Sequence, residues 1–360
     1  MKIVFFTPSL NIGGYEKVVI NYANAFCSNH QVTIACGKKE GPLLSLINPR
    51  VKVVDLNCRM RTLFIKLLIW IKSEEIDLLY IPFITNTAIA VAVKKILHRD
   101  FAVYSAQHGY CEAPKLPILR NIIIRLFESA DVYTFVSNEL KQHFVSEYNI
   151  GNCYVMNNPV FCSSGENAAD NASALPEASI PAFAISGRLA KDKHVELAIR
   201  IIAEVNKSTP ARLLVLGDGP LMPELRELAK QLGIEKLVEF KGFCNNPADM
   251  MKGCKGVLVT SEVESFGNSV IEAFINNAPA IVTSCGGPVQ LIENGRYGIE
   301  IGAFDSEDVV ENGRAAVMDI IDGKAAFADC REKAKLYDAS LIEDSFLEPY
   351  RLLKSDNKGD

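Results

Sequence analysis

Short runs of β-branched and aromatic residues alternate along this chain with stretches whose apolar residues recur every three or four positions. That alternation predicts parallel sheets covered by helices. In the first half the strand candidates are Ile3–Phe6, Val32–Ala35, Val51–Asp55, Leu78–Ile81, Ala102–Ala106, Tyr133–Val136 and Tyr154–Met156. Helical patterns fall between them at Tyr15–Phe26, Leu63–Ile71, Ala88–Leu97, Ile118–Phe127 and Glu139–Glu147. The series restarts with strands at Phe183–Ser186, Leu213–Leu216, Val238–Phe240, Val257–Thr260 and Ala280–Thr283. Helices are expected there at Val195–Val205, Glu224–Leu232, Asn268–Ile275 and Val289–Ile292. After Ser306 the pattern is helical, closing with Leu341–Leu353.

Cys162–Ser179 separates the two series with Ser, Gly, Asn, Ala, Asp and Glu and little to bury, the composition of a linker or surface loop. The reading is therefore α/β, with two doubly wound, Rossmann-like domains at 1–161 and 180–340 joined by 162–179. A helix at 341–360 is expected to fold back on the first domain. Ligands of such sheets bind beyond the carboxyl ends of the strands, so two domains facing across a cleft would line it with their strand ends.

The length of 360 residues fits two domains, and 49% hydrophobic with 22% charged residues excludes a disordered chain. A net charge of −5 argues against a general nucleic-acid binder. The charge is uneven: residues 1–160 hold 17 basic and 12 acidic side chains, residues 161–360 hold 21 and 31. A basic first half suits an anionic partner, phospholipid or substrate, although chance scatter over two solvated surfaces gives the same count. None of the ten cysteines forms a Cys-x-x-Cys pair, and zinc-site spacing is absent. The opening apolar run is shorter than a signal peptide's, and no uninterrupted run approaches the roughly 18 residues of a membrane span. A cytoplasmic chain with reduced thiols is expected.

The candidate chemistry lies directly after the strands. Gly13-Gly14 follows the first strand and precedes a helix, so backbone can approach a ligand and helix N–H groups can meet an anion. An ordinary tight turn has the same sequence. Gly187-Arg188-Leu189 and then Lys191, Lys193 and His194 follow Phe183–Ser186. Arg188 as a fork and Lys193 as a point charge could grip phosphate oxygens; a solvated basic loop would look similar. Gly217-Asp218-Gly219-Pro220 repeats the strand-end glycine pattern. In Glu264-Ser265-Phe266-Gly267-Asn268-Ser269-Val270-Ile271-Glu272, two carboxylates flank a glycine turn. Helical side chains lean towards the N-terminus, which brings Glu272 back towards Glu264. Each carboxylate can accept hydrogen bonds from neighbouring sugar hydroxyls, while the amides of Phe266, Gly267 and Asn268 meet a phosphate. A capping box formed by Ser269 and Glu272 is the competing account.

These segments resemble glycosyltransferase family 4, the retaining sugar transferases of GT-B fold. The resemblance rests on Gly13-Gly14-x-Glu16, Gly187-Arg188-Leu189, Leu216–Pro220, Gly242-Phe243, the Glu-x7-Glu segment Glu264–Glu272 and Cys285-Gly286-Gly287-Pro288. It implies that the first domain binds the acceptor and the second a nucleotide sugar, most readily UDP-linked. Glu264 would hold the donor sugar and Glu272 the ribose. Arg188 and Lys193 would bind the diphosphate and stabilise the leaving group, Gly13 and Gly14 would close from the first domain, and backbone around Phe243 would frame the base. His108, in Ala106-Gln107-His108-Gly109, resembles the family's active-site histidine. Ser265, His194 and Gln290 depart from residues frequent in the family and leave donor identity open.

The resemblance implies transfer of a hexose or N-acetylhexosamine to a hydroxyl of a lipid-linked or lipopolysaccharide-type saccharide. Without an Asp-x-Asp sequence no metal or other cofactor is expected, and without an evident enzyme nucleophile front-face attack is. Arg59–Lys72 and Lys115–Arg125 are basic and strongly apolar, as stretches lying on an anionic bilayer are. They also suit helices packed on the sheet with snorkelling Lys and Arg. The rival functions are a nucleotide-sugar epimerase on this fold and a non-catalytic nucleotide-binding partner protein.

Overall fold

The computed structural model describes residues 1–11, 13–110, 117–161 and 180–356. The chain divides into two units, Met1–Phe161 with Asp338–Asp360, and Cys162–Tyr337. The expected linker at 162–179 lies outside the described residues, as does the start of the basic stretch Lys115–Arg125.

In the first unit the strands are β1 (Lys2–Thr7), β2 (Gln31–Cys36), β3 (Lys52–Asp55), β4 (Leu78–Pro82), β5 (Ala102–Gln107), β6 (Val132–Phe135) and β7 (Cys153–Val155). They pair in parallel in the order β3-β2-β1-β4-β5-β6-β7, with helices α1 (Gly14–Phe26), α2 (Leu63–Ser73), α3 (Ile84–Leu97), α4 (Pro117–Phe127) and α5 (Asn138–Glu147) between them. Alternate strand residues point to opposite faces. Val4, Phe6, Leu79, Ile81 and Val103 therefore form one buried face beneath α2 and α3. Leu63, Leu67 and Ile71, spaced one helical turn apart, are the stripe that α2 buries there. The packed-helix reading of Arg59–Lys72 holds for this side of α2, while Ile65 and Ile69 on its outward side are exposed beside Lys66 and Lys72.

The second unit repeats the plan with β8 (Ala182–Ser186), β9 (Arg212–Leu216), β10 (Val238–Gly242), β11 (Gly256–Val259), β12 (Ala280–Val282) and β13 (Gly298–Glu300). Their order is β10-β9-β8-β11-β12-β13, again parallel. The helices are α6 (Val195–Val205), α7 (Met222–Gln231), α8 (Pro247–Met250), α9 (Asn268–Phe274), α10 (Gly287–Leu291), α11 (Val309–Ile321) and α12 (Cys330–Lys335). The chain then returns to the first unit and ends in α13 (Ile342–Asp356). Phe346 of α13 is fully buried on the second face of the first sheet, among Phe5, Tyr22, Phe26, Tyr80 and Tyr104.

Sequence pattern did not indicate β13 or α8. The first is three residues that open on Gly298, the second a single turn with Pro247 at its start. Strand ends also move: Thr260 and Thr283 fall just beyond β11 and β12, where their hydroxyls bond loop carbonyls instead of extending the ladder. Among the described residues the cysteines are free, and no helix is long and apolar enough to cross a membrane.

Candidate active site

In the second sheet the strand order reverses between β8 and β11, the topological position where doubly wound sheets bind ligands. Arg188 and Lys193 follow β8, and Glu264 follows β11. The fold brings Lys193 and Glu264 together across 71 residues of chain: Lys193 Nζ donates to Glu264 Oε1 at 2.5 Å. Ser261 Oγ donates to the same carboxylate oxygen at 3.2 Å. Both members of the pair are partly exposed, so the ammonium and the carboxylate remain accessible to a ligand. Arg188 stands further out, its guanidinium 3.6 Å from Asp192 and largely in solvent. A shallow pocket lined by Gly187, Arg188, Lys193, Thr260, Ser261 and Glu264 marks this place.

Local chemistry explains the shape of the loop. His194 occupies the left-handed region (φ +45°), which costs a non-glycine residue free energy. Thr260 Oγ1 donates to the carbonyls of both Lys193 (3.0 Å) and His194 (2.9 Å), and the His194 ring stacks on Phe304 with centroids 4.3 Å apart. These contacts hold the turn that presents Lys193. Asp192 and Thr260 were not singled out in sequence; a threonine just past a strand carries no signal until its partners, 66 and 67 residues away, are known.

The loop from Glu264 to α9 is tied to the next one. Glu264 N–H donates to the Cys285 carbonyl, and Gly287 N–H donates to the Glu264 carbonyl, both at 2.7 Å. Helix α9 starts at Asn268, half-buried, with Gly267 at φ +101° as its cap and no side-chain cap. Ser269 is consequently inside the helix, and the capping-box account of Ser269 and Glu272 is set aside. Glu272 lies one turn into α9 and is buried, a position for a carboxylate that has defined partners rather than a solvated one. Phe266 buries its ring against Tyr337, centroids 5.7 Å apart, leaving backbone as its contribution to the loop. Beside Glu264, burial pushes the Cys285 thiol up to about 12, so it stays protonated and is no nucleophile at neutral pH.

Gly217 shows why the turns after neighbouring strands are glycine-rich. Its φ is +153°, and a Cβ there would stand 1.8 Å from the Gly187 carbonyl oxygen. Gly217 N–H donates to the Gly242 carbonyl at 2.8 Å, which places half-buried Phe243 next to the same turn.

In the first unit the reversal falls between β1 and β4. Gly13 caps α1 and faces Glu16, whose carboxylate lies where a Cβ would be; Gly14 is exposed. His108 follows β5, with its Nε2 2.9 Å from Tyr80 Oη and its ring edge-on to Tyr15, centroids 4.8 Å apart. Tyr15 is itself fixed by donating to the Phe6 carbonyl at 2.7 Å. Burial pulls the His108 pKa down to about 3, and it raises Tyr80 above the usual phenol value.

His108 is therefore expected to be neutral throughout the physiological range. Its folded pKa lies below the unfolded value of about 6.5, so the unfolded chain takes up more protons below that pH. The associated stability is complete above pH ~6.5 and declines as pH falls towards 3. An imidazole nitrogen-15 titration should show His108 unprotonated from pH 8 to 5; protonation with a midpoint near 6.5 would refute the neutral assignment.

Two family descriptions match the chain: "Glycosyltransferase Family 4" over residues 12–163 and "Glycosyl transferases group 1" over residues 171–335. Together they take in both series of strands. The chain belongs to this glycosyltransferase family, and its two sheets are the Rossmann-like halves of the GT-B fold. It is 24% identical to a Campylobacter jejuni alpha-1,4-N-acetyl-D-galactosaminyltransferase named for an undecaprenol-diphosphate-linked saccharide, over 96% of this chain and 97% of that one. It is 27% identical to the N-acetyl-alpha-D-glucosaminyl L-malate synthase of Bacillus anthracis, over 67% of this chain and 65% of that one. Among solved structures, Anabaena HepE in complex with UDP-glucose superposes with a TM-score of 0.78 at 20% identity, covering 99% of this chain and 100% of that chain. The lipopolysaccharide outer core galactosyltransferase WaaB superposes with a TM-score of 0.73 at 19% identity, covering 97% and 99%.

Proposed function

We propose that this glycosyltransferase moves a hexose or N-acetylhexosamine from a UDP-linked donor to a hydroxyl of a lipid-linked or lipopolysaccharide-type saccharide, with retention at the anomeric carbon. The observation that carries the reading is the Lys193–Glu264 pair at the β8/β11 reversal, opening a Glu-x7-Glu segment. The UDP-glucose complex of HepE and the undecaprenol-linked saccharide in the Campylobacter enzyme's name support the donor and acceptor classes.

In this mechanism Glu264 orients the donor sugar hydroxyls and Glu272 accepts from the ribose. Lys193 bridges Glu264 and the diphosphate, and exposed Arg188 swings from Asp192 onto the phosphate oxygens. The amides of Phe266, Gly267 and Asn268 face the same anion, backbone at Phe243 frames the base, and Gly217 keeps the adjoining turn close. Negative charge grows on the nucleoside diphosphate as the anomeric C–O bond breaks, and pre-placed cations stabilise it where it forms. Two cations at the diphosphate make a divalent metal unnecessary, so turnover is expected to survive EDTA. No enzyme nucleophile stands out in the sequence, so retention proceeds by front-face attack, the leaving phosphate taking the acceptor proton. Gly13 and Gly14 let first-unit backbone approach the donor, and neutral His108 offers a hydrogen bond to the sugars.

The acceptor's lipid sets the location, at the inner face of the cytoplasmic membrane. Support comes from α2, whose outward side exposes Ile65 and Ile69 (56% and 63%) among Arg61, Lys66 and Lys72, with no acid between Leu56 and Ser73. Such a face gains from apolar insertion and from anionic headgroups together. Co-sedimentation should rise with phosphatidylglycerol content and fall at least fivefold in Ile65→Ser/Ile69→Ser; equal pelleting with pure phosphatidylcholine would remove the membrane reading.

The activity itself is tested by mass spectrometry of products from UDP-glucose, UDP-galactose and their N-acetylated forms, offered with undecaprenyl-diphosphate-linked saccharides. Addition of one sugar to the acceptor is the expected result. Donor turnover that yields only an isomerised nucleotide sugar, or none with every pair, would contradict the proposal.

A further inference from the structure

Phe83 stands directly after β4, and its backbone conformation (φ +68°, ψ +148°) lies close to a region that is nearly glycine-only. A bulky aromatic residue held there costs free energy, and burial does not repay it, because the residue is 37% exposed. Its surroundings are specific. Phe83 N–H approaches the Ala106 carbonyl at 3.4 Å, and the β4/β5 register pairs Pro82 with Ala106, so Phe83 stands beside the chain that leads into Gln107 and His108. Its ring lies 6.3 Å from that of Tyr15, which in turn packs edge-on to His108. Tyr80 occupies Nε2 of His108, and among the described residues Nδ1 has no partner.

A partly exposed aromatic ring, joined through Tyr15 to a neutral imidazole with one unused nitrogen, matches the two sides of a pyranose ring. One side of such a ring is largely C–H, and its edge carries hydroxyls that need hydrogen-bond partners. We propose that Phe83 is the apolar platform for the acceptor sugar, specifying the ring that receives the transferred residue, with His108 Nδ1 bonding a hydroxyl at its edge. This rests on the transferase reading above and adds to it a recognition residue in the first unit, strained in backbone for the sake of its ring.

The test is saturation-transfer NMR on the full chain with the methyl α-glycosides of glucose, galactose, N-acetylglucosamine and N-acetylgalactosamine. Wild type should transfer saturation to the C–H protons of one face of at least one glycoside. Phe83→Gly should reduce that signal at least tenfold, Phe83→Trp should keep it, and Phe83→Gly should melt no lower than wild type because glycine relieves the strain. Unchanged transfer in Phe83→Gly would overturn the proposal, as would no transfer to any glycoside in wild type. A lower melting temperature in Phe83→Gly would also overturn it, since the ring would then be packing. UDP stabilisation, measured alongside, should be equal in wild type and Phe83→Gly. Its absence from both would count against the donor reading and leave the Phe83 result to be read on its own.

Discussion

Replacing Lys193 with alanine should lower kcat on the matched nucleotide sugar by roughly 10²–10³-fold, the cost of removing one pre-placed group from developing negative charge. Among the described residues, Lys193 is the cation bonded to Glu264. Its loss removes a positive charge at the diphosphate and frees the carboxylate that would orient the sugar. Fold stability should change little by comparison, because partly exposed ion pairs contribute at most about 1 kcal/mol. Steady-state kinetics with saturating acceptor, together with thermal melts of both proteins, separate the two effects. An alanine variant within threefold of wild-type kcat would remove Lys193 from leaving-group stabilisation. Arg188→Ala should have a smaller effect, since the guanidinium is largely solvated and only loosely held by Asp192.

The largest expected effect on stability belongs to Phe346→Ala, about 3–5 kcal/mol for truncating a fully buried phenylalanine. Phe346 lies with its ring centroid 4.9 Å from Tyr22, 5.1 Å from Phe26 and 5.4 Å from Tyr80. A cavity there opens between α13 and the sheet. Tyr80 also bonds His108, so loosening of the cluster should reach the strand-end face. Urea unfolding followed by tyrosine fluorescence should show the first unit's transition displaced to lower urea, and UDP binding in the second unit kept. A shift equivalent to less than 1 kcal/mol would mean that α13 is held by other contacts, such as the His30–Glu343 and Asp100–Lys354 pairs.

Much of the layered plan was legible because its strands are short, continuous apolar runs that are buried on both faces, as Ile3–Phe6 and Leu78–Ile81 are. Gly298–Glu300 escaped because three residues that open on a glycine make no periodic signal. The motif around Glu264 was visible as a string of residue types, whereas its pairing with Lys193 depends on which strands become neighbours. The order β8-β11 is a property of the whole sheet, invisible to local pattern. Ser269 looked like a helix cap because its spacing to Glu272 is right; Gly267, able to adopt φ +101°, takes that position instead. Phe83 carried no signal, since a strained φ leaves no trace in residue order. The aromatic cluster around Phe346 draws on positions from 5 to 346, distances over which sequence spacing says nothing.

Whether the carboxyl ends of β8 and β11 form a nucleoside-diphosphate site is decided by thermal stabilisation with UDP, GDP, ADP and CMP. At a hundredfold excess over Kd a ligand that binds only the folded protein adds about 2.7 kcal/mol. A selective upward shift with UDP is expected, lost in Glu272→Ala while that variant itself remains folded. A melting temperature unmoved by every nucleotide, or a UDP shift untouched in Glu272→Ala, would contradict it.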